Sequence, residues 1–341
     1  MTKVENSNVQ PWGNYQLISL TNNKGSQVDV SDLGATIVNF YVTNSYEERI
    51  NIVLGYDKPS NYIQGRAYLG CVVGPWANRI ANGKFRLDGH VVQLETNEGT
   101  NHLHGGKANI GAKCWEITEV TCHSVKLICS TLDGEAGYPC DIDFTVEYKL
   151  GEDNGLAITY SAIPSGITPI NMTQHAYFNL DGSGTIENHS ITLNSDRYLH
   201  IDEKALPTRI EPVDATPFDL RTPTIIANNL HQDHPQLISA NGFDHCWVLD
   251  GNIKSRCASL TSNLSGLTLD VYTDQSGIQF YSGNFLNGEK GRMGQVYNRR
   301  AALCLETQCY PNQVNMPSRD DCLYDGNRIY QHKVIYRIKN Q

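Results

Sequence analysis

From Ile142 to Leu150 every second residue is apolar: Ile142, Phe144, Val146, Tyr148 and Leu150 alternate with Asp143, Thr145, Glu147 and Lys149. Successive side chains of an extended strand point to opposite faces, so this order predicts one face buried and one in water, as in a half-covered antiparallel sheet. The alternation returns in Leu156, Ile158 and Tyr160 against Thr159 and Ser161, and in Leu267, Leu269 and Val271 against Thr268 and Asp270. Asn82-Gly83, Asp88-Gly89, Asp133-Gly134, Asp181-Gly182 and Asp250-Gly251 punctuate these runs, and such dipeptides accept the backbone of tight hairpins. No long amphipathic helix competes; Thr224 to Leu237 has room for a short one, limited by Pro235. The chain therefore reads as all-β, a large antiparallel β-sandwich. No linker or internal repeat divides it, and all-β units above about 200 residues are common, so residues 1–341 read as a single domain.

Charge and composition exclude several roles. A formal net charge of -9 without any Lys/Arg run opposes attraction to nucleic acid or anionic lipid. No apolar stretch approaches the about 20 residues that span a bilayer, so no membrane role is expected. Met1-Thr2-Lys3-Val4-Glu5-Asn6 lacks a secretory apolar stretch, which predicts a cytoplasmic location and free thiols for all ten cysteines. None of those cysteines forms a C-x-x-C pair, so a zinc or redox motif is poorly supported. Three glycosylation triplets, at Asn171, Asn188 and Asn263, matter only in a secreted chain. Nothing resembles a coiled-coil heptad, and a monomer is the default expectation.

Polar clusters interrupt the strand pattern: Asn78-Arg79, His102 to Gly106, His175, Asp244-His245 and Glu306-Thr307-Gln308. His102 and His104, two apart, would share a face of an extended segment as metal ligands do in small β-barrels. The carboxylate such a site wants a few residues on is missing, since Gly105, Gly106, Lys107 and Ala108 follow. His175 by itself is more often a satisfied core histidine than a catalyst. Glu306 alters that balance: it follows the apolar run Ala301 to Leu305, and carboxylates are rarely buried without pairing or function. The bland alternative is a buried ion pair with Arg79, which would lower the Glu306 pKa. Asn78, Arg79, Asp244 and Gln279 supply forks and amides that suit vicinal hydroxyls, although each singly is more often structural. Trp76, Trp115, Trp247 and Tyr281 suit a pyranose face equally with a core, and carry no assigned role.

The order of the segments carries a resemblance. Leu33-Gly34-Ala35-Thr36-Ile37, Leu54-Gly55-Tyr56-Asp57, Gly74 with Ala77-Asn78-Arg79-Ile80, and Asn101 through Gly106 are followed by Asp133 through Pro139 and Thr173-Gln174-His175. Thr216-Pro217-Phe218-Asp219, Gly242-Phe243-Asp244-His245, Gln279-Phe280-Tyr281 and Glu306-Thr307-Gln308 complete the set. The whole resembles the aldose 1-epimerase family, also called galactose mutarotases. That resemblance implies the galactose mutarotase-like supersandwich, a monosaccharide substrate and no cofactor or metal. It implies Glu306 as general base and His175 as general acid, with His104 assisting at the ring. Asn78, Arg79, Asp244 and Gln279 fall where the family holds sugar hydroxyls. Two departures stand out: Pro75-Trp76 where relatives often have arginine after the glycine, and Asn312 where many have aspartate.

Anomer interconversion needs a proton taken from the C1 hydroxyl and one given to the ring oxygen, after which the ring opens, C1–C2 rotates and the ring recloses. A carboxylate and a protonated imidazole suffice, so Glu306 is expected ionised and His175 protonated at the start of each turnover. A hexose-phosphate 1-epimerase would need added cations, and none cluster near these motifs. A non-catalytic carbohydrate-binding protein would not need Glu306 with His175, and a glycosidase built on Glu306 and Asp244 would leave His175 idle.

Overall fold

The computed structural model describes residues 8–340. Its largest sheet has nine antiparallel strands, in the order Glu116–Val120, Ser124–Thr131, Ile142–Leu150, Gly155–Pro164, Tyr330–Asn340, Leu267–Thr273, Arg256–Thr261, Ser190–Leu193 and Thr224–Ile225. A six-stranded sheet runs Tyr177–Phe178, Leu303–Gln308, Gly277–Tyr281, Asp244–Val248, Arg197–Ile201, Pro207–Pro212. Five strands between Val9 and Asn51 form a third, consecutive meander.

The alternation of Ile142–Leu150 is realised residue by residue. Ile142, Phe144, Val146, Tyr148 and Leu150 are buried, while Asp143, Glu147 and Lys149 are exposed. Burying each such side chain contributes about 1.5–3 kcal/mol, so Val146→Asp, which sets an unpaired carboxylate in that layer, would unfold the strand before any surface change did. The core draws on both large sheets. Val146, Ile158, Val334 and Tyr336 from the nine-stranded sheet pack in one cluster with Ile278, Phe280, Leu303 and Leu305 from the six-stranded one. The Tyr336 hydroxyl donates to the Leu305 carbonyl across the gap (3.0 Å), and the Phe178 ring packs against Tyr336 at 5.1 Å, tilted by 51°.

Among the described residues the α-helices are short: Pro59–Gln64, Ile226–Leu230 and Pro235–Ser239. Pro235 does not cut off one helix, as the sequence suggests, but opens another at its first position, where the missing N–H is not needed. None is long and apolar enough to cross a membrane. Trp76, Trp115 and Trp247 are core residues, all ten cysteines are free thiols, and seven of these are buried. The Asn171 triplet is buried and structural: its side-chain amide donates to the Ala77 carbonyl and its Oδ1 accepts from the Cys309 N–H.

Candidate active site

Three neighbouring strands of the six-stranded sheet build the floor of the site. In register, Gln279 lies opposite both Glu306 and Cys246, and Tyr281 opposite both Cys304 and Asp244. Period two then puts Asp244, Cys246, Gln279, Tyr281, Cys304 and Glu306 on one face, while Ile278, Phe280 and Leu305 enter the core from the other. A cavity of about 440 Å³ opens over this face, within the range of small-ligand pockets. Asn78, Arg79, His104, His175, Asp244 and Glu306 line it. Six of the seven residues singled out in the sequence therefore meet, across more than 200 positions of chain. The seventh, Gln279, stands behind the wall and donates its amide to Asp244 Oδ1 (2.7 Å).

His175 sits between the short strands Thr173–Gln174 and Tyr177–Phe178. Its N–H donates to the Cys71 carbonyl and its carbonyl accepts from Gly70, which locks the backbone. Tyr177 stacks on the ring at 5.1 Å, with His104 edge-on at 5.4 Å and Tyr68 at 5.9 Å. Nδ1 lies 3.5 Å from the Cys304 sulfur, and Nε2 lies 3.8 Å from Glu306 Oε2.

Glu306 is 3% exposed, and its Oε2 receives no hydrogen bond from the protein. Burial, seconded by the Asp244 charge, pushes its pKa up to about 8, against the opposing pull of Arg79. Burial likewise draws His175 down to about 4. The resting pair is therefore neutral, with its proton on the carboxyl, whereas the sequence reasoning starts from carboxylate and imidazolium. Removing water disfavours both charges more than their separation of 3.8 Å repays.

Arg79 does not pair with Glu306. Its Nε and Nη2 grip the two oxygens of Glu98 at 2.7 and 2.6 Å, a bidentate bond from the turn that follows the Glu95 segment. Asn78 precedes it in a left-handed conformation (φ 64°). Its N–H donates to His104 Nδ1 (3.2 Å), while its carbonyl accepts from the His104 N–H. The neutral His104 ring thus carries its proton on Nε2. His104 is also left-handed (φ 51°), so the strand geometry that would align it with His102 is broken. His102 is sealed elsewhere, donating from Nδ1 to the Glu95 carbonyl and accepting from the Tyr138 hydroxyl at Nε2. The two histidines form no shared metal face. Gly105 must be glycine here: at φ 83° a Cβ would lie 2.3 Å from the Gly74 carbonyl oxygen.

Both sequence departures brace the backbone of the short strand Arg79–Ile80. Trp76 is fully buried and its indole N–H donates to the Arg79 carbonyl (3.2 Å). Asn312, itself left-handed, donates its N–H to the same carbonyl (2.8 Å) and accepts the Ala81 N–H on Oδ1 (3.0 Å). Sequence reasoning missed Arg66, Tyr68, Glu98, Tyr177, Phe285 and Glu289 as lining residues, and Cys304 beneath His175.

The family model described as aldose 1-epimerase matches residues 16–337. The chain belongs to the aldose 1-epimerase family. It is accordingly an isomerase. Among relatives in this family, a galactose mutarotase from Bos taurus is 39% identical over 318 residues, covering 92% of this chain and 91% of its own. An aldose 1-epimerase from Escherichia coli K12 is 36% identical over 330 residues, covering 95% of both. Of solved aldose epimerase folds, the GalM/aldose epimerase homologue from C. elegans superposes with a TM-score of 0.89 at 26% identity, over 96% of this chain and 99% of that one. A galactose 1-epimerase from Lactobacillus acidophilus gives 0.86 at 28%, over 97% of each.

Proposed function

We propose that this pocket interconverts the α and β anomers of free hexoses, D-galactose and D-glucose among them, with Glu306 and His175 as the groups that move protons. The observation that carries the reading is a buried carboxylate whose Oε2 has no protein partner, facing the Nε2 of a buried histidine across 3.8 Å. A structural carboxylate would be hydrogen-bonded; an unpaired one at the floor of a cavity waits for a donor from outside the protein.

In the proposed cycle Glu306 takes the proton of the C1 hydroxyl and His175 gives one to the ring oxygen. The C1–O5 bond breaks, C1–C2 rotation exposes the other carbonyl face, and reclosure returns each proton. One proton shared by the pair is enough. In the empty pocket it rests on Glu306; sugar hydroxyls that hydrogen-bond the carboxylate favour its return to His175. His104, as the Nε2–H tautomer, offers a neutral donor at the ring. Arg79, Asn78 and Asp244 hold hydroxyls, and Gln279 acts through Asp244.

A neutral monosaccharide fits the wall better than a phosphorylated one. Two arginines, Arg66 and Arg79, face four acids, Glu98, Asp244, Glu289 and Glu306, and Arg79 is already taken by Glu98. The single-domain organisation, the monomeric state, the cytoplasmic location and independence of cofactors, metals, nucleic acid and membranes belong to the same reading.

The test is the optical rotation of freshly dissolved α-D-galactose with wild type and Glu306→Gln against the spontaneous rate. Acceleration by wild type alone supports the function and its base. Equal acceleration by both would remove Glu306 from the chemistry, and acceleration by neither would send the search to hexose phosphates and then to binding without catalysis.

A further inference from the structure

Seven cysteines are buried, and six of them donate their thiol to a backbone carbonyl: Cys71 to Tyr68, Cys140 to Gly166, Cys246 to Trp247, Cys257 to Val271, Cys309 to Tyr310 and Cys322 to Arg319. Cys304 differs, because its sulfur meets an imidazole nitrogen at 3.5 Å. Register explains this: Tyr177 lies opposite Cys304, so the residue two before Tyr177 is carried over the thiol. Glu306, two residues along the same strand, points the same way. A sulfur, an imidazole nitrogen and a carboxylate oxygen thus lie within 4.8 Å of one another, all buried, and the carboxylate Oε2 is unpartnered.

We infer that Cys304, His175 and Glu306 form a site for a thiophilic divalent cation of the zinc class, and that its occupancy blocks the sugar pocket. Zinc bonds of about 2.3 Å to sulfur and about 2.0–2.2 Å to nitrogen and oxygen place tetrahedral donors about 3.3–3.6 Å apart. The sulfur–nitrogen distance of 3.5 Å already meets this, and the remaining closure is a side-chain movement of about 1 Å into open cavity. His175 and Glu306 line the cavity, which gives the entry path and faces the fourth coordination position, while Cys304 lies buried beneath them. Binding exchanges the Cys304 thiol proton and the resting carboxyl proton of Glu306 for the metal, with two protons released to solvent and no change of oxidation state. The cation is an inhibitor here and not a resident cofactor: it takes the carboxylate and the imidazole that the proposed reaction needs free. The effect on rate rests on that proposed reaction; the site itself does not.

The experiment uses the full chain with the exposed Cys114 and Cys122 changed to serine, so that surface thiols do not compete. Zinc and cadmium chloride are titrated with sugar mutarotation, thiolate-to-cadmium charge-transfer absorption and calorimetric stoichiometry as readouts. One equivalent should bind, give the absorption band, compete with galactose and be reversed by a chelator. Cys304→Ser, which keeps a hydrogen-bonding group against His175 but loses the sulfur, should abolish the band and weaken binding at least about tenfold, whatever its own basal rate. Binding unchanged in Cys304→Ser, or absent in the parent, overturns the inference while leaving mutarotation untouched. A cadmium band lost with Cys304, in a protein that accelerates no sugar, would instead keep the site and overturn the proposed reaction.

Discussion

His175 Nε2 stands 3.8 Å from Glu306 Oε2, near enough to feel its charge and too far to hydrogen-bond it. Neither group satisfies the other, so both are left for a molecule that enters the cavity they line. The first consequence concerns rate. Glu306→Gln and His175→Asn should each lower kcat by about 10²–10⁴-fold while circular dichroism stays that of wild type, since proton transfer by a positioned group is worth about that much. Polarimetry of α-D-galactose checks it, and full activity in either variant would remove that residue from the mechanism.

Rate against pH should form a plateau. Below about 4 the imidazole gains a second proton for the pair, and above about 8 the carboxyl gives up the only one. The groups that face Glu306 include Asp244, Arg79, His175, the hydroxyls of Tyr177 and Tyr336, and the thiols of Cys71, Cys246 and Cys304. The thiols have raised pKa values and remain neutral across this range. A kcat/KM profile, which reports the sugar-free enzyme, that keeps rising past the upper limb would overturn the single-proton pair.

Stability should answer to the same carboxyl with a definite sign. Folded Glu306 holds its proton up to about pH 8, whereas the unfolded chain releases it near 4.5, so the native state loses stability as pH rises between those values. Glu306→Gln removes that slope. Its melting temperature relative to wild type should climb by several degrees between about pH 5 and about pH 9, since each pKa unit is worth about 1.4 kcal/mol. A difference that stays constant with pH would refute the buried, protonated carboxyl.

Arg79→Lys keeps the charge but loses the two-pronged grip on Glu98. KM should rise about ten- to hundredfold with a smaller change in kcat, because the loss of a charge-assisted bond costs about 1.5–3 kcal/mol of binding geometry. Glu98→Gln should move KM in the same direction. Steady-state kinetics on galactose and glucose separate the two parameters.

Asn312→Asp should leave kcat/KM within about twofold, because aspartate keeps an Oδ1 acceptor for the Ala81 N–H and tolerates the left-handed backbone. Asn312→Leu loses both and should lower activity and melting temperature together.

The sheets were legible because burial on one face imposes period two, which Ile142–Leu150 carries without interruption. Glu306 and His175 were legible because polar groups in apolar strands are rare enough to need a reason. The rest escaped for physical causes. Glu98 lies in a turn, where a carboxylate reads as solvated until Arg79 is seen reaching it. His102 and His104 looked like partners only while both were assumed extended, and the left-handed φ of His104 separates them. Cys304 and His175 are 129 positions apart, and only strand register brings them together. The neutral resting state depends on the depth of burial, which alternation does not report.

The groups proposed to move protons and those proposed to hold hydroxyls stand on different kinds of backbone. Glu306 is fixed within a strand flanked on both sides, while Asn78 and His104 occupy left-handed turns at the ends of the two-residue strands Arg79–Ile80 and His102–Leu103, which are tied to one another by a few hydrogen bonds. Substitutions in those turns can re-aim hydroxyl contacts without disturbing the sheet. In such a scaffold the preference between sugars can be altered through the turns alone, while the proposed proton-moving Glu306 stays where the sheet holds it.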